Sequence, residues 1–414
     1  MAKSTMDKTG RAYGMPKPTY DPILTEVGPG TPGGELLRRY WHPIAPSSEC
    51  TDLPKEVRRF GEDLILFRNK KGEPGLLYPR CVHRGTSLLY GQVEEDGIRC
   101  CYHGWKFDVE GNCLEQPCEP EGGRNRDRVR QPWYPVVEEY GAIWAYMGPP
   151  ERQPLFPIFS CFENLADDEE VVTLWASANG EAGPFPLEHN WCQLNDNAVD
   201  FFHVVMLHTT ISGPQFDWEP RYAGRLPEAR WDYSADGRSV LGQNIHPYDD
   251  AGNKWGRLEQ HILPNIISFG LFIEDGPTDS IHVMLPFDDT HCAHVVVARR
   301  KKNAPQRRFE SKMPDGSPRK RWIDMTLEER QRFPTDYEAQ GGQGPTTFHS
   351  EEHLTYTDTG LAMQRRIFKQ QCEVVANGGD PIGVAFKEED RRVLVEARSW
   401  PIPAPQKVQV KEPA

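Results

Sequence analysis

PRCVHRGTSL at 79–88 and IRCCYHGWKFD at 98–108 decide how this chain is read. The first presents Cys81 and His83, the second Cys100, Cys101 and His103, and sixteen residues separate His83 from Cys100. Two such hairpin tips can meet around one metal centre. Structural zinc accepts two Cys and two His, but its ligands usually come as Cys-x-x-Cys and His-x-His-type sets, not as two Cys/His hairpins. A [2Fe–2S] cluster with imidazoles on one iron also accepts them, and the neutral rings raise its potential. In the second hairpin Cys101-x-His103 mirrors the first loop, while Cys100-x-x-His103 is the alternative. Spacing leaves both open.

Around these tips, short β-type runs alternate with turns, as in DLILFRN at 63–69 and GAIWAYMG at 141–148. After a looser link, a helical stretch is expected near 190–207, strands at HILPNIISFGLFI (261–273) and SIHVMLPF (280–287), and a charged helix at 351–378. The expected fold is α+β: an all-β domain over 40–150, then an α+β domain over 165–400 with an antiparallel sheet and helices. Residues 1–39 read as an N-terminal arm. Gly28, Gly30 and Gly33 satisfy G-x-G-x-x-G, yet Pro29 and Pro32 remove backbone donors and no buried strand precedes them, so the segment reads as a turn.

Composition agrees with a folded, loop-rich protein: 414 residues, 37% hydrophobic, 10% aromatic, with 36 Gly and 37 Pro. A formal charge of −13 disfavours nucleic acid. No apolar run reaches the roughly 20 residues of a membrane span, and the N-terminus has no signal-peptide core. A cytoplasmic protein is expected, and its ten cysteines read as ligands or buried thiols.

A second constellation lies in NWCQLNDNAVDFFHVVMLHTT at 190–210. On a helix Asp196, Asp200 and His203 share one face. His208 falls five residues beyond His203, about 140° round an ideal helix. Both rings can bind one ion only if the helix distorts or ends between them. Asp336, Glu338, Asp358 and Asp380 are all available as a third ligand.

CVHRG and CYHGWKFD resemble the Rieske domain of ring-hydroxylating oxygenases, and Asp-x-x-His-x-x-x-x-His after Asn190-Trp191 resembles their iron motif. RFPTDYEAQGGQGPTTFHSEEHLTYTDTGLAMQRR at 332–366 looks like the C-terminal segment of the phthalate dioxygenase type. The resemblance implies Cys81, His83, Cys100 and His103 on a [2Fe–2S] cluster, leaving Cys101 aside. It implies His203, His208 and Asp336 on a mononuclear Fe(2+), the two-His-one-carboxylate arrangement of non-haem oxygenases, with Asp200 as an electron-transfer bridge. Thr335 stands where an amide is usual, and Phe348-His349 replace an Asp-Arg pair.

Further expectations follow from that likeness. The chain has no nicotinamide, flavin or plant-type ferredoxin motif, so a separate reductase is expected, with or without a ferredoxin. The oxygenase component would be a homotrimer or hexamer, acting on O2 and a small aromatic acid. O-demethylation of a methoxylated, lignin-derived acid is the favoured reaction, with ring hydroxylation of a phthalate-like acid as its rival. A Rieske protein limited to electron transfer would lack a triad member. Arg221, Arg225, His246, His261 and Arg299 are the candidate carboxylate partners.

Overall fold

The computed structural model describes residues 15–404 apart from 125, 177–182, 214–224, 271–274, 305–311 and 314. Residues 41–146 form three small antiparallel sheets. DLILFRN supplies strand Glu62–Arg68 and GAIWAYMG strand Ala142–Tyr146. The first Cys/His loop follows strand Pro74–Leu77, and the second joins Ile98–Arg99 to Lys106–Phe107. Ile65, Phe67, Leu77, Leu88, Ile98 and Phe107 form a separate core beneath both loops. These loops therefore rest on packed side chains rather than on solvent.

The expected N-terminal arm is instead built into the protein from residue 22 onward. Helices Pro22–Thr25 and Pro32–Leu37 bury Leu24, Leu36 and Leu37 in the main core. The glycine-rich turn serves close packing: a Cβ on Gly34 would stand 2.3 Å from the Gly28 carbonyl oxygen. Thr31 caps the second helix by accepting from the Gly34 N–H.

The rest centres on a nine-stranded antiparallel sheet. Numbered in chain order, its principal strands are β1 (Glu169–Trp175), β2 (Glu228–Tyr233), β3 (Ser239–Pro247), β4 (Lys254–Ile262), β5 (Ile266–Ser268), β6 (Ser280–Pro286), β7 (Cys292–Lys301) and β8 (Arg398–Ile402). They run β1-β7-β6-β5-β4-β3-β2, with β8 alongside the first half of β4. Helices α1 (Trp191–Ala198), α2 (Phe202–Val205), α3 (Asp336–Gly341) and α4 (Thr359–Ala376) accompany it. α1 packs on β6 and β7, and α4 on β2 and β3. The charged helix starts at Thr359, later than its composition suggests, because 349–351 and 356–358 form only short 3-10 turns with irregular chain between them. Among the described residues no helix is long and apolar enough to cross a membrane.

One continuous core joins Trp144 and Tyr146 of the β part to Trp191, Ile267, Val283 and Phe368. The separate core under the cluster loops adjoins it through strands Glu62–Arg68 and Pro74–Leu77, whose alternate residues enter the two cores.

Candidate metal centres and cavity

The two Cys/His loops are built alike. In each, the glycine N–H donates to the first cysteine's carbonyl oxygen, Gly85 to Cys81 at 2.8 Å and Gly104 to Cys100 at 3.1 Å. Both glycines have positive φ, 78° and 72°, which an L side chain resists. The matching cysteines are Cys81 and Cys100, both buried, while Cys101 points outward. Their sulfurs are close enough to hydrogen-bond. His83 and His103 have ring centroids 4.5 Å apart, and His83 stacks on Trp105 at 4.4 Å. Val82 and Tyr102 stand exposed at the tips.

Among the described residues, only His203, His208 and Asp336 bring three donor atoms within 4.8 Å of one another. The four Cys/His donors are spread wider than a single zinc ion holds its ligands. That spacing and the paired thiols and imidazoles fit a two-iron cluster.

The second centre depends on a distortion. Asn190 caps α1, accepting from the Cys192 N–H. The helix stops at Val199, restarts at Phe202 and then widens into a π-turn over Met206–Ile211. The Thr209 and Thr210 hydroxyls donate to the Val205 carbonyl oxygen inside this turn. The continuous helix expected for 190–207 is therefore interrupted, and the interruption returns His208 to the His203 face. Their ring centroids lie 5.3 Å apart.

Asp336 begins α3, whose N-cap Thr335 forms a capping box with Glu338. Its Oδ1 lies 3.1 Å from His208 Nε2 and 3.6 Å from His203 Nε2. Burial alone would raise its carboxyl pKa, yet His208 and His203 hold it below the usual carboxylate range. Burial lowers that of His203 and favours the neutral ring. His203 Nδ1 hydrogen-bonds the Asp200 carbonyl oxygen at 2.7 Å, which turns Nε2 toward Asp336. Three donors of this chemistry, two imidazoles and an anionic carboxylate, suit Fe(II). Asp200 Oδ2 is 3.7 Å from His203 Nδ1, and its side chain is 37% exposed.

The triad opens onto a cavity of about 330 Å³. Leu187, Leu194, Phe201, Val204, Phe269 and Met284 make it largely apolar. Its polar wall comes from β3 and β4: Asn244, His246, Arg257 and Glu259. His282 and His294 add a second polar spot, with Nδ1 of one 2.8 Å from Nε2 of the other.

Of the four carboxylate-partner candidates among the described residues, only His246 lines this cavity. Arg225 pairs with exposed Asp250, and Arg299 with Glu169 across β1 and β7. His261 is buried away from the lining, with neither ring nitrogen partnered, and Arg221 lies outside the described residues. Arg257 and Glu259 escaped the sequence reading. The available signal was their i,i+2 spacing with opposite charge in KWGRLEQHI, which puts both on one face of a strand.

Residues 40–139 match the Rieske [2Fe-2S] domain family. The chain is 45% identical over 395 residues, 94% of each chain, to the phenoxybenzoate dioxygenase subunit alpha of Ectopseudomonas oleovorans. It is 32% identical over 372 residues, 86% of this chain and 81% of the relative, to the 5,5'-dehydrodivanillate O-demethylase oxygenase subunit of Sphingobium sp.. NdmA of Pseudomonas putida CBB5, solved as the QL mutant with caffeine, shares the fold: TM-score 0.59, 18% identity, 91% of this chain and 99% of that one. The chain belongs to the Rieske non-haem iron oxygenases, as an oxygenase subunit of the phthalate dioxygenase type. It is an oxidoreductase whose cofactors are a [2Fe–2S] cluster and Fe(2+).

Proposed function

We propose that this subunit oxidises a two-ring aromatic carboxylate with O2, using electrons from a separate reductase. The observation that carries the reading is the cavity. A void of about 150 Å³ holds one benzene ring, so 330 Å³ beside the triad suits two rings. Its apolar walls would hold the rings, and the Arg257 end their carboxylate. The relative at 45% identity is named for phenoxybenzoate, also a two-ring acid, which favours dioxygenation. O-demethylation is the second reading, favoured by the dehydrodivanillate relative.

In this proposal residues 40–150 form the electron-entry domain and 165–400 the catalytic domain. Cys81, His83, Cys100 and His103 hold the cluster, and His203, His208 and Asp336 hold the iron. Bound there, the two groups supply one-electron transfer and O2 activation. The protein's part is to orient His203 through the Asp200 carbonyl oxygen, exclude water with Phe201, Phe269 and Met284, and fix the substrate ring. The exposed tips at Val82 and Tyr102 suit contact with a neighbouring subunit in a homotrimer or hexamer. There Asp200 would accept a hydrogen bond from the partner subunit's His103 and pass the electron's path on to His203.

The test is turnover of 3-phenoxybenzoate under 18O2 with a reductase and NADH, read by mass spectrometry. Two labelled oxygens in one oxidised product support dioxygenation. A methoxylated biaryl acid that instead releases formaldehyde and the free phenol supports demethylation, and oxidation of neither acid refutes the substrate class.

A further inference from the structure

Arg257, the cavity's one arginine among the described residues, already has a counter-ion. Arg257 and Glu259 project from the same face of β4, 3.1 Å apart, each side chain only 5% exposed. Asn244 on β3 donates to Glu259 Oε1 at 3.3 Å, and Arg257 donates from Nε and Nη2 to the Gly270 carbonyl oxygen. Gly242, opposite Glu259 in the register, leaves room that Phe201 fills: a Cβ there would meet its ring at 2.4 Å. Among the described residues, Arg257 and Glu259 therefore pair their charges in a packed wall before any substrate enters.

A substrate carboxylate that reaches Arg257 meets a second carboxylate on the same guanidinium. Two carboxylates sharing a buried site do not both stay ionised; one takes a proton. Among the described residues, the other titratable groups on the cavity are His246 from β3, His282 and His294 from β6 and β7, Tyr337 from α3, Asp200, and the triad. Burial keeps the three histidines neutral, holding His246 and His294 down at about 4. Burial also raises Glu259, against the opposing pull of Arg257 and Asn244.

We propose that Glu259 is a displaceable internal counter-ion of Arg257, and that binding a carboxylate substrate moves one proton from solvent onto Glu259. The Arg257–Glu259 contact breaks, an Arg257–substrate contact forms, and the net charge of the wall is unchanged. Glu259 would thus set selectivity between acids and their neutral analogues, in a pH-dependent way. This inference rests on the aromatic-acid reading proposed above.

The experiment is isothermal titration of the iron-loaded full-length protein with 3-phenoxybenzoate, in two buffers of different ionisation enthalpy. The neutral 3-phenoxybenzyl alcohol is run alongside, and Glu259→Gln is titrated with both. We expect uptake of about one proton per acid bound by the wild type, none with the alcohol, and none in Glu259→Gln. The wild-type Kd for the acid should rise about tenfold per pH unit once free Glu259 is ionised, and that of Glu259→Gln should stay flat. Acid binding to the wild type without proton uptake overturns the proposal and leaves the substrate class standing, whatever the variant does. Uptake that persists in Glu259→Gln moves the proton to another group and also overturns it. If the alcohol binds and the acid binds neither protein, the substrate class and the inference fall together.

Discussion

Asp200→Asn separates charge from geometry at the proposed bridge. Asp200 Oδ1 accepts the Phe202 N–H at 2.8 Å, helping to start α2. Asn makes the same bond, and at helix starts Asn and Asp are about equivalent, whereas Ala costs about 1 kcal/mol. The contact that orients His203 uses the Asp200 backbone carbonyl, which the substitution leaves in place. The variant should therefore keep its fold, its iron and its sulfide, and lose only the carboxylate's charge. Loss of a partner beyond the metal's own ligands costs 10–100-fold, and turnover should fall by the upper end of that range, about 100-fold. The assay is steady-state oxidation with NADH and reductase, normalised to iron and acid-labile sulfide, with thermal unfolding as the control. Asp200→Ala should lose a similar factor in turnover and unfold at slightly lower temperature. Wild-type turnover in Asp200→Asn would refute the bridging role, and loss of iron would show that the carboxylate serves geometry instead.

Two further outcomes follow from the buried charges and histidines. Arg365 on α4 pairs with Asp196 of α1 and with Glu352, its side chain 12% exposed and that of Asp196 11%. Arg365→Met leaves two carboxylates buried without their cation and should cost about 3–5 kcal/mol, seen as a lower unfolding midpoint in urea; an unchanged midpoint would show that the network contributes nothing. Burial pushes His42 and His246 down to about 4 and His261 to about 3, so the unfolded chain binds more protons than the folded one from about pH 6.5 down to about 4. Stability should fall with falling pH across that window, at up to about 4 kcal/mol per pH unit for the three together. Melting temperatures measured from pH 7.5 to 5 would detect it, and a flat profile would contradict it.

The Cys/His loops were legible because their chemistry is local: a cysteine, a histidine and a turn glycine within a few residues define each tip. His203 and His208 were legible as a pair, but the turn that unites them was not. A five-residue spacing says that a helix must distort without saying how, and the π-turn at 206–211 depends on surrounding packing. Asp336 comes from 128 residues beyond His208 and was reached through resemblance alone. Arg225 and Arg299 missed the cavity for a related reason. Arg225 and Arg299 look like free cations in sequence, and only the fold brings Asp250 and Glu169 to them. Arg257 looked no different, yet the register of β3 and β4 turns it inward. The supposed N-terminal arm was misread because Leu24, Leu36 and Leu37 are too widely spaced to show a helical face in so short a segment.

The central claim is that the chain carries two separate iron centres, one of them on His203, His208 and Asp336. Iron and acid-labile sulfide per chain, measured on anaerobically purified wild type and Asp336→Asn, test it directly. The account predicts about three irons and two sulfides in the wild type, and in the variant about two irons with the sulfide and visible spectrum unchanged. Equal iron in both proteins would contradict the triad, and zinc without sulfide in the wild type would contradict the whole account.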